Sequence, residues 1–153
     1  MDKQKRKQYK KDYLSKFEGF YLYVIKNSRG KIVYVGATTN YMTRLGNHIC
    51  GNAKATKKFI SKANYRIQYL DLGEVITEQI EMYALENELI ELYATDLNHK
   101  NLDGSYRLTD VSTIADARMF SLISYVHNIE LDWITYCTKK RGQSTSKRGK
   151  VNG

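Results

Sequence analysis

The amino-acid sequence predicts a single α/β domain built on three short strands and several helices. Three segments rich in aromatic and β-branched residues, which are typical of extended structure, indicate strands at 20–25, 32–35 and 66–70. Apolar residues that recur three and four positions apart indicate helices, most clearly between residues 77 and 93. A chain of 153 residues is long enough for one core of ordinary size and too short for two independent ones.

The first two strands are expected to form a β-hairpin. The residues between them, 27–30, have a turn composition, and Gly36 is expected to end the second strand. Since side chains alternate between the two faces of a strand, Tyr23 and Tyr34 are expected to project from the same face. With an odd register, Tyr23 would lie directly opposite Tyr34.

A helix is predicted from residue 41 to residue 50, directly after the hairpin. Residues 38–40 supply candidates for its N-cap, and Gly51 follows its end. Arg44 and His48 are four positions apart on this helix, so their side chains share one face.

Further helices are predicted at 55–63, 77–93, 112–127 and 132–137. The helix at 77–93 has an apolar stripe that we expect to face the core, and Glu86 lies beside this stripe. The stripe consists of Met82, Leu85, Leu89, Leu92 and Tyr93.

Positive charge is concentrated at the two ends of the chain. The sequence has 25 Lys and Arg against 16 Asp and Glu, a formal charge of +9, of which residues 1–16 carry +5 and residues 138–153 carry +6. The interior is divided between +7 over residues 17–73 and −9 over residues 74–137. Two basic tails and a basic first half favour a polyanionic partner, nucleic acid before a membrane, because neither tail has an amphipathic pattern with large apolar residues.

Several classes of protein are excluded by composition. No apolar run approaches the roughly 20 residues that span a bilayer. Cys50 and Cys137 have no CxxC partners, which argues against a zinc ribbon or a disulfide scaffold. We therefore expect a soluble protein of a reducing, cytoplasmic compartment.

The polar residues on these elements resemble the GIY-YIG nuclease family in their order and spacing. Arg44 follows the second motif tyrosine by ten residues, as in the family, and the resemblance covers residues 19–101. Tyr21 stands where the family has its first glycine, and Val35 replaces its isoleucine. The matching positions are Leu22–Asn27, Val33–Gly36, Arg44, His48, Glu86 and Asn98.

The resemblance implies a fold and an activity. The fold would be a small three-stranded antiparallel sheet flanked by helices, with an extra C-terminal helix. The activity would be metal-dependent hydrolysis of DNA phosphodiester bonds, leaving 5′-phosphate and 3′-hydroxyl ends. The residues implied as catalytic are Tyr23, Tyr34, Arg44, His48, Glu86 and Asn98, with Asn101 as the alternative for the family asparagine.

The chemistry of phosphodiester hydrolysis explains these residue types. Glu86 is the candidate ligand of a single Mg²⁺, with Mn²⁺ as a substitute, although most helix carboxylates are merely solvated. Arg44 can place its guanidinium fork on phosphate oxygens. Tyr23 and Tyr34 would orient or deprotonate the water, which requires a cation such as Lys31 to lower a phenol pKa of about 10.

Two other candidates on this side of the domain have supporting roles. His48 could relay a proton, and Asn98 is expected to organise the site through hydrogen bonds. Four lysines are candidate contacts to the DNA backbone, although a charged helix face is the commoner explanation. These are Lys54, Lys57, Lys58 and Lys62.

The sequence divides into a nuclease-like core at 17–103 and three flanking segments. A basic N-terminal extension occupies 1–16, a helical extension packed on the core occupies 104–138, and a basic disordered tail occupies 139–153. DNA is the expected partner, with no membrane and with a homodimer as a plausible assembly on double-stranded substrate. The alternatives are a nucleic-acid-binding module that has kept the fold without turnover and a basic structural protein of a ribosome-like assembly.

Overall fold

The computed structural model describes residues 2–98, 114–128 and 134–138, which form four strands and five helices. The strands are β1 (Glu18–Asn27), β2 (Ile32–Asn40), β3 (Tyr65–Asp71) and β4 (Ile134–Thr138). They form one antiparallel sheet in the order β2-β1-β3-β4. The helices are α1 (Lys3–Ser15), α2 (Tyr41–Ile49), α3 (Lys57–Lys62), α4 (Gln79–Tyr93) and α5 (Asp116–Asn128).

The predicted three-stranded antiparallel sheet flanked by helices is confirmed, and a fourth strand extends it. The prediction of a helix at 132–137 is wrong, because residues 134–138 form β4. This strand pairs with β3 from Tyr65↔Thr138 to Tyr69↔Ile134. Five residues are too few to distinguish helical from alternating periodicity. The β-branched and aromatic residues of this segment suit a strand, and the open edge of β3 provides a partner for it.

The register of the β1–β2 hairpin differs from the prediction by two residues. Tyr23 pairs with Gly36 and Ile25 pairs with Tyr34, so the two tyrosines are diagonal neighbours on one face rather than directly opposite. A register irregularity between Ile25 and Lys26 accounts for one residue of this difference. The expectation that both tyrosines share a face is confirmed, since their ring centroids are 6.0 Å apart.

Gly36 does not end the second strand, because β2 continues to Asn40. A Cβ atom on Gly36 would lie 2.2 Å from Cζ of the Tyr23 ring, closer than any two such atoms approach. Glycine is required here by the close approach of a side chain and not by a turn. The phenol of Tyr23 therefore occupies the space directly above its cross-strand partner.

The sheet has a core on each face. One face packs against α4 and α5 through residues that include Leu22, Val24, Leu85 and Leu122. The other face packs against α2 and α3 and is rich in aromatic rings. Its buried members are Tyr23, Ile25, Val33, Ile60, Tyr65, Ile67 and Tyr69.

The predicted core stripe of α4 is confirmed at three positions and wrong at one. Met82, Leu85 and Leu89 are buried, and Tyr93 packs against them in part, whereas Leu92 is 56% exposed. Leu92 falls on the buried arc of α4 by its helical period, but it lies in the last turn of the helix, which ends at Tyr93, and its side chain is exposed there.

Helix α5 is fixed to α4 by an ion pair. Arg118 Nε donates to Glu81 Oε2 at 2.6 Å, and Arg118 Nη2 donates to Glu81 Oε1 at 3.1 Å and to the carbonyl oxygen of Val75. The predicted disordered tail at 139–153 lies outside the described residues, as does the segment at 104–113. Within the described part of the chain, no helix is long and apolar enough to cross a membrane.

Candidate active site

The Tyr23 phenol is the centre of a buried polar cluster between the hairpin and α2. Tyr23 is only 1% exposed, and its hydroxyl oxygen is 2.7 Å from Nε2 of His48. The other ring nitrogen of His48, Nδ1, is 2.7 Å from Oγ1 of Thr56. A continuous hydrogen-bonded chain therefore runs from Thr56 through His48 to Tyr23.

The local sequence explains how His48 reaches Tyr23. Asn40 is the N-cap of α2, and its side chain accepts a hydrogen bond from the Thr43 backbone N–H at 3.1 Å. Because α2 starts directly where β2 ends, His48 lies on its second turn, above the sheet. Thr56 is the N-cap of α3, but it makes no side-chain cap bond there. Its hydroxyl binds the imidazole instead.

Tyr34 completes the aromatic part of the cluster. Its ring centroid is 6.0 Å from that of Tyr23 and 5.3 Å from that of His48. A side-chain hydrogen bond with Tyr34 is one of the interactions that raise the pKa of Tyr23. The structure thus brings both motif tyrosines and His48 together, as the sequence predicts.

The pKa of Tyr23 is raised well above its ordinary value. Burial is the main cause, and the neighbouring Tyr34 and the negative charge of Glu86 act in the same direction. The positive charge of Arg44 opposes this effect but does not overcome it. The phenol is consequently protonated at neutral pH, and the cation beside it is Arg44 rather than Lys31.

His48 is neutral at neutral pH. Burial and the positive charge of Arg44 lower its pKa to about 4. A neutral imidazole carries one proton, so one ring nitrogen donates and the other accepts. Both are satisfied in either tautomer, because Tyr23 and Thr56 each have a hydroxyl that can donate or accept.

Glu86 lies on α4 and is 3% exposed, so it is not a solvated helix carboxylate. Its charge raises the pKa of Tyr23, which shows that the carboxylate lies near the phenol. Among the residues that the structure describes, no group of three or more His, Cys, Asp or Glu side chains could hold a metal ion. Among the described residues, Glu86 is thus not part of a cage of carboxylates.

Asn98 binds the backbone of β2 between Tyr34 and Gly36. Its Oδ1 accepts a hydrogen bond from the Val35 N–H at 3.0 Å, and its Nδ2 donates to the Val35 carbonyl oxygen at 2.9 Å. Thr95 Oγ1 donates to the same Oδ1 at 2.6 Å. The side chain of Asn98 is therefore held in place and fixes the strand that carries Tyr34.

The remaining predicted residues form no contact with the two phenols that the structure describes, or lie outside the described residues. Lys31 Nζ forms an exposed ion pair with Asp96 Oδ2 at 3.0 Å, and Asn101 lies outside the described residues. The four predicted DNA-contacting lysines are all exposed on α3 or just before it. They are Lys54, Lys57, Lys58 and Lys62.

Two buried residues of the cluster escape prediction from the sequence. The sequence around Thr56 does not indicate its hydrogen bond with His48, because His48 is eight residues away on another helix. Tyr69 could have been found, since alternation along β3 places it on the same face as Tyr65 and Ile67. Its ring centroid is 5.5 Å from that of Tyr23, and its buried hydroxyl has no hydrogen-bond partner among the described residues.

Two phenols, a guanidinium, an imidazole and a buried carboxylate converge on one end of a small α/β domain, and these groups suit phosphodiester chemistry. The sequence model of the GIY-YIG catalytic domain matches residues 19–101, more than half of the chain. The chain therefore belongs to the GIY-YIG catalytic domain family.

Among solved structures, the chain is similar to the GIY-YIG N-terminal endonuclease domain of UvrC from Thermotoga maritima. The magnesium-bound form of that domain is 20% identical with a TM-score of 0.44, and the match covers 65% of this chain and 100% of that one. Two point mutants bound to the catalytic divalent cation are 19% and 20% identical with TM-scores of 0.45 over the same shares. No curated protein sequence matches the chain significantly.

Proposed function

We propose that this chain is a metal-dependent endonuclease that hydrolyses phosphodiester bonds in DNA. The observation that supports this most strongly is the environment of Tyr23. Its hydroxyl is joined to His48, and it lies within the electrostatic influence of both Arg44 and Glu86. A cation for the phosphate and a carboxylate for a metal thus flank one hydrogen-bonding chain.

Arg44 would bind the scissile phosphate. Its positive charge acts on Tyr23, Tyr69 and His48, so the guanidinium lies at the aromatic cluster rather than out in solvent. A planar guanidinium can donate two parallel hydrogen bonds to phosphate oxygens, which a lysine cannot do. Its charge offsets the negative charge that develops as the water attacks.

The two tyrosines and His48 would position the attacking water and move its proton. Because Tyr23 is protonated and His48 is neutral, one proton can pass along the hydrogen bond between these two side chains. The oxygen of Tyr23 receives the proton of the water as its own proton passes to Nε2 of His48. Before the transfer, Nδ1 of neutral His48 carries its proton and donates it to Thr56, so that the transfer leaves His48 as an imidazolium. Tyr34 holds the phenol by the hydrogen bond between them.

The donor set fits Mg²⁺, with Mn²⁺ as a substitute, and Glu86 would hold it. Glu86 is the buried carboxylate whose charge acts on Tyr23, and Mg²⁺ is commonly held by one or two carboxylates together with waters and substrate phosphate. When bound, the ion would neutralise developing charge and lower the pKa of the attacking water. Asn98 would act indirectly, by holding Val35 and hence the strand that carries Tyr34.

The products, the DNA contacts and the assembly follow from the same proposal. Cleavage would leave 5′-phosphate and 3′-hydroxyl ends, and the exposed lysines on and before α3 would contact the backbone. A single site cuts one strand at a time, so a homodimer would serve double-strand cleavage.

The test is cleavage of supercoiled plasmid with Mg²⁺ and then with excess EDTA. We expect nicking that stops with EDTA and falls at least about 100-fold in Glu86→Gln and in Arg44→Lys. Glu86→Gln removes the carboxylate charge that would hold the metal, and Arg44→Lys removes the two parallel hydrogen bonds to the phosphate. Glu88→Gln is the matched control, because Glu88 is exposed two positions further along α4. Cleavage that survives EDTA, or that Glu86→Gln leaves intact, defeats the metal mechanism. Salt-dependent binding without nicking under any divalent metal would support the inactive binding module instead.

A further inference from the structure

Helix α1 is an exposed, basic element that the catalytic cluster does not use. It has no buried residue, and it carries six basic residues and one acidic residue, Asp12. At 100° per residue, five of the six bases fall within an arc of about 140°. The bases of this face are Lys3, Arg6, Lys7, Lys10 and Lys11, and Lys5 lies on the other side.

The arrangement of charge is unfavourable for the isolated helix. Lys3 and Lys7, Lys7 and Lys11, and Arg6 and Lys10 are like-charged pairs four residues apart, which repel each other. Bases in the first turn also oppose the positive end of the helix dipole. Among the described residues, no carboxylate forms an ion pair with any of these side chains. A polyanion bound along this face would remove the repulsion.

The orientation of α1 is fixed relative to the catalytic cluster. Asn40, the N-cap of α2, also donates from Nδ2 to the carbonyl oxygen of Leu14 at 2.8 Å. Four ring contacts with centroid distances of 5.2–5.5 Å then lead from the end of α1 to the catalytic phenol. The rings are those of Tyr13, Phe17, Tyr41, Tyr69 and Tyr23.

The basic face of α1 continues onto the start of α2. Lys7, Lys10 and Lys11 line a surface cleft together with Glu18, Asn40 and Thr43. Thr43 lies in the first turn of α2, the helix that also carries Arg44. The 13 residues of α1 extend the positive surface by about 20 Å from that point.

We infer that the basic face of α1 is a docking surface for the phosphate backbone of the DNA beyond the scissile bond. The identity of the ligand rests on the proposed function. The face is held to the start of α2 by the Asn40–Leu14 hydrogen bond, forms no ion pair among the described residues, and borders the helix that carries Arg44. It therefore lengthens the DNA footprint on one side of the active site without reading the base sequence.

The test compares two triple variants that each remove three positive charges. Lys7→Gln/Lys10→Gln/Lys11→Gln alters the cleft face. Lys26→Gln/Arg29→Gln/Arg66→Gln alters the hairpin-turn end of the sheet, opposite the end where α1 docks. Binding of a 5′-fluorescein-labelled DNA duplex is measured by anisotropy over a range of salt concentrations. The duplex has about 30 base pairs, so that it is longer than the footprint that the face of α1 adds.

We expect the α1 variant to lower the slope of log affinity against log salt by about 2 to 3, because each phosphate contact contributes about 0.9. The control should change it by less than about 1, since its charges lie at the opposite end of the sheet from α1 and would not contact DNA bound along that face. A melting temperature that does not fall verifies the fold of each variant. Equal slopes in the two variants overturn the inference. It is also overturned if the α1 variant loses binding to phosphatidylglycerol vesicles to the same extent as it loses binding to DNA, because that result would assign the face to a membrane.

All binding reactions contain EDTA and no divalent metal. The salt slopes are therefore independent of turnover, so a chain that binds DNA in this way without cutting it would defeat the proposed function and leave this inference standing.

Discussion

The hydroxyl of Tyr23 and Nε2 of His48 lie 2.7 Å apart, and both groups are inaccessible to solvent. Burial stabilises the neutral form of each group, because it raises the pKa of the phenol and lowers that of the imidazole. The pair is thus uncharged at neutral pH although the charges of Arg44 and Glu86 act on the phenol. In the mechanism that we propose, this pair moves a proton.

His48 should make the stability of the fold depend on pH. An unfolded histidine binds a proton below a pKa of 6.5, whereas folded His48 binds one only near a pKa of about 4. The unfolded state therefore binds more protons in this window, and the free energy of unfolding falls by roughly 3 kcal/mol as the pH drops from above 6.5 to 4. Urea unfolding at pH 7.5 and 4.5, values chosen to bracket most of this window, measures the effect. The His48→Gln variant should lose the part of the pH dependence of unfolding that comes from His48. The His127→Gln variant, which alters an exposed histidine, should retain it.

Tyr23→Phe should impair catalysis much more than it impairs folding. The ring is kept, so the core packing survives, but the hydrogen-bonded chain loses its central hydroxyl. We expect cleavage to fall by about 10²- to 10⁴-fold, the range for a lost proton-transfer group. Tyr21→Phe is the control on the same strand, because the Tyr21 ring packs on Tyr41 and takes no part in the hydrogen bonds that join Thr56, His48 and Tyr23. Comparable losses in single-turnover assays of both variants would contradict the assignment.

Two glycine substitutions should have opposite effects on stability. In Gly36→Ala the new methyl would overlap the Tyr23 ring, and we expect a loss of about 1–3 kcal/mol from the forced rearrangement. In Gly46→Ala, on α2, nothing lies within 4 Å of the new methyl, and alanine should stabilise the helix by roughly 0.5–1 kcal/mol. Thermal unfolding of the two variants decides the matter. A Gly36→Ala protein that melts at the wild-type temperature would show that the phenol can move aside at no cost.

Tyr69→Phe should be neutral or stabilising by up to about 1 kcal/mol. The hydroxyl of Tyr69 is buried without a partner, so removing it relieves an unsatisfied polar group and leaves the ring contacts with Tyr23 and Tyr41 intact. Chemical denaturation measures the change, with Tyr23→Phe as the opposite case, because there His48 loses its partner. A clear loss of stability in Tyr69→Phe would mean that this hydroxyl is bonded in solution.

The sequence predicts the elements of the site better than their mutual placement. The two strands with Tyr23 and Tyr34, and the helix with Arg44 and His48, follow from local composition and period, because those properties depend on neighbours within a few residues. The cross-strand partner of Tyr23 does not, since the register irregularity near Lys26 leaves no mark in the composition. The family pattern correctly indicates Gly36, but only the packing of Tyr23 against it supplies the reason.

Long-range pairings account for the other differences. Strand β4 forms because β3 offers an open edge to a segment far along the chain, and no local signal separates such a strand from a short helix. Thr56 joins the cluster only after α2 and α3 have folded against each other. Burial of Glu86 likewise depends on how α4 packs against β2, although its position beside the apolar stripe already indicates it.

The side chain of Asn98 also acts on the exposed edge of the sheet. Its amide donates to and accepts from the same residue of β2, Val35, which is the pattern of hydrogen bonds that another strand would offer. The backbone N–H of Leu97 adds a bond to the carbonyl oxygen of Val33 at 3.0 Å. Unpaired edge strands recruit strands from other molecules and lead to aggregation. The asparagine that aligns the strand of Tyr34 therefore also occupies, at Val35, the backbone groups through which another copy would add a strand.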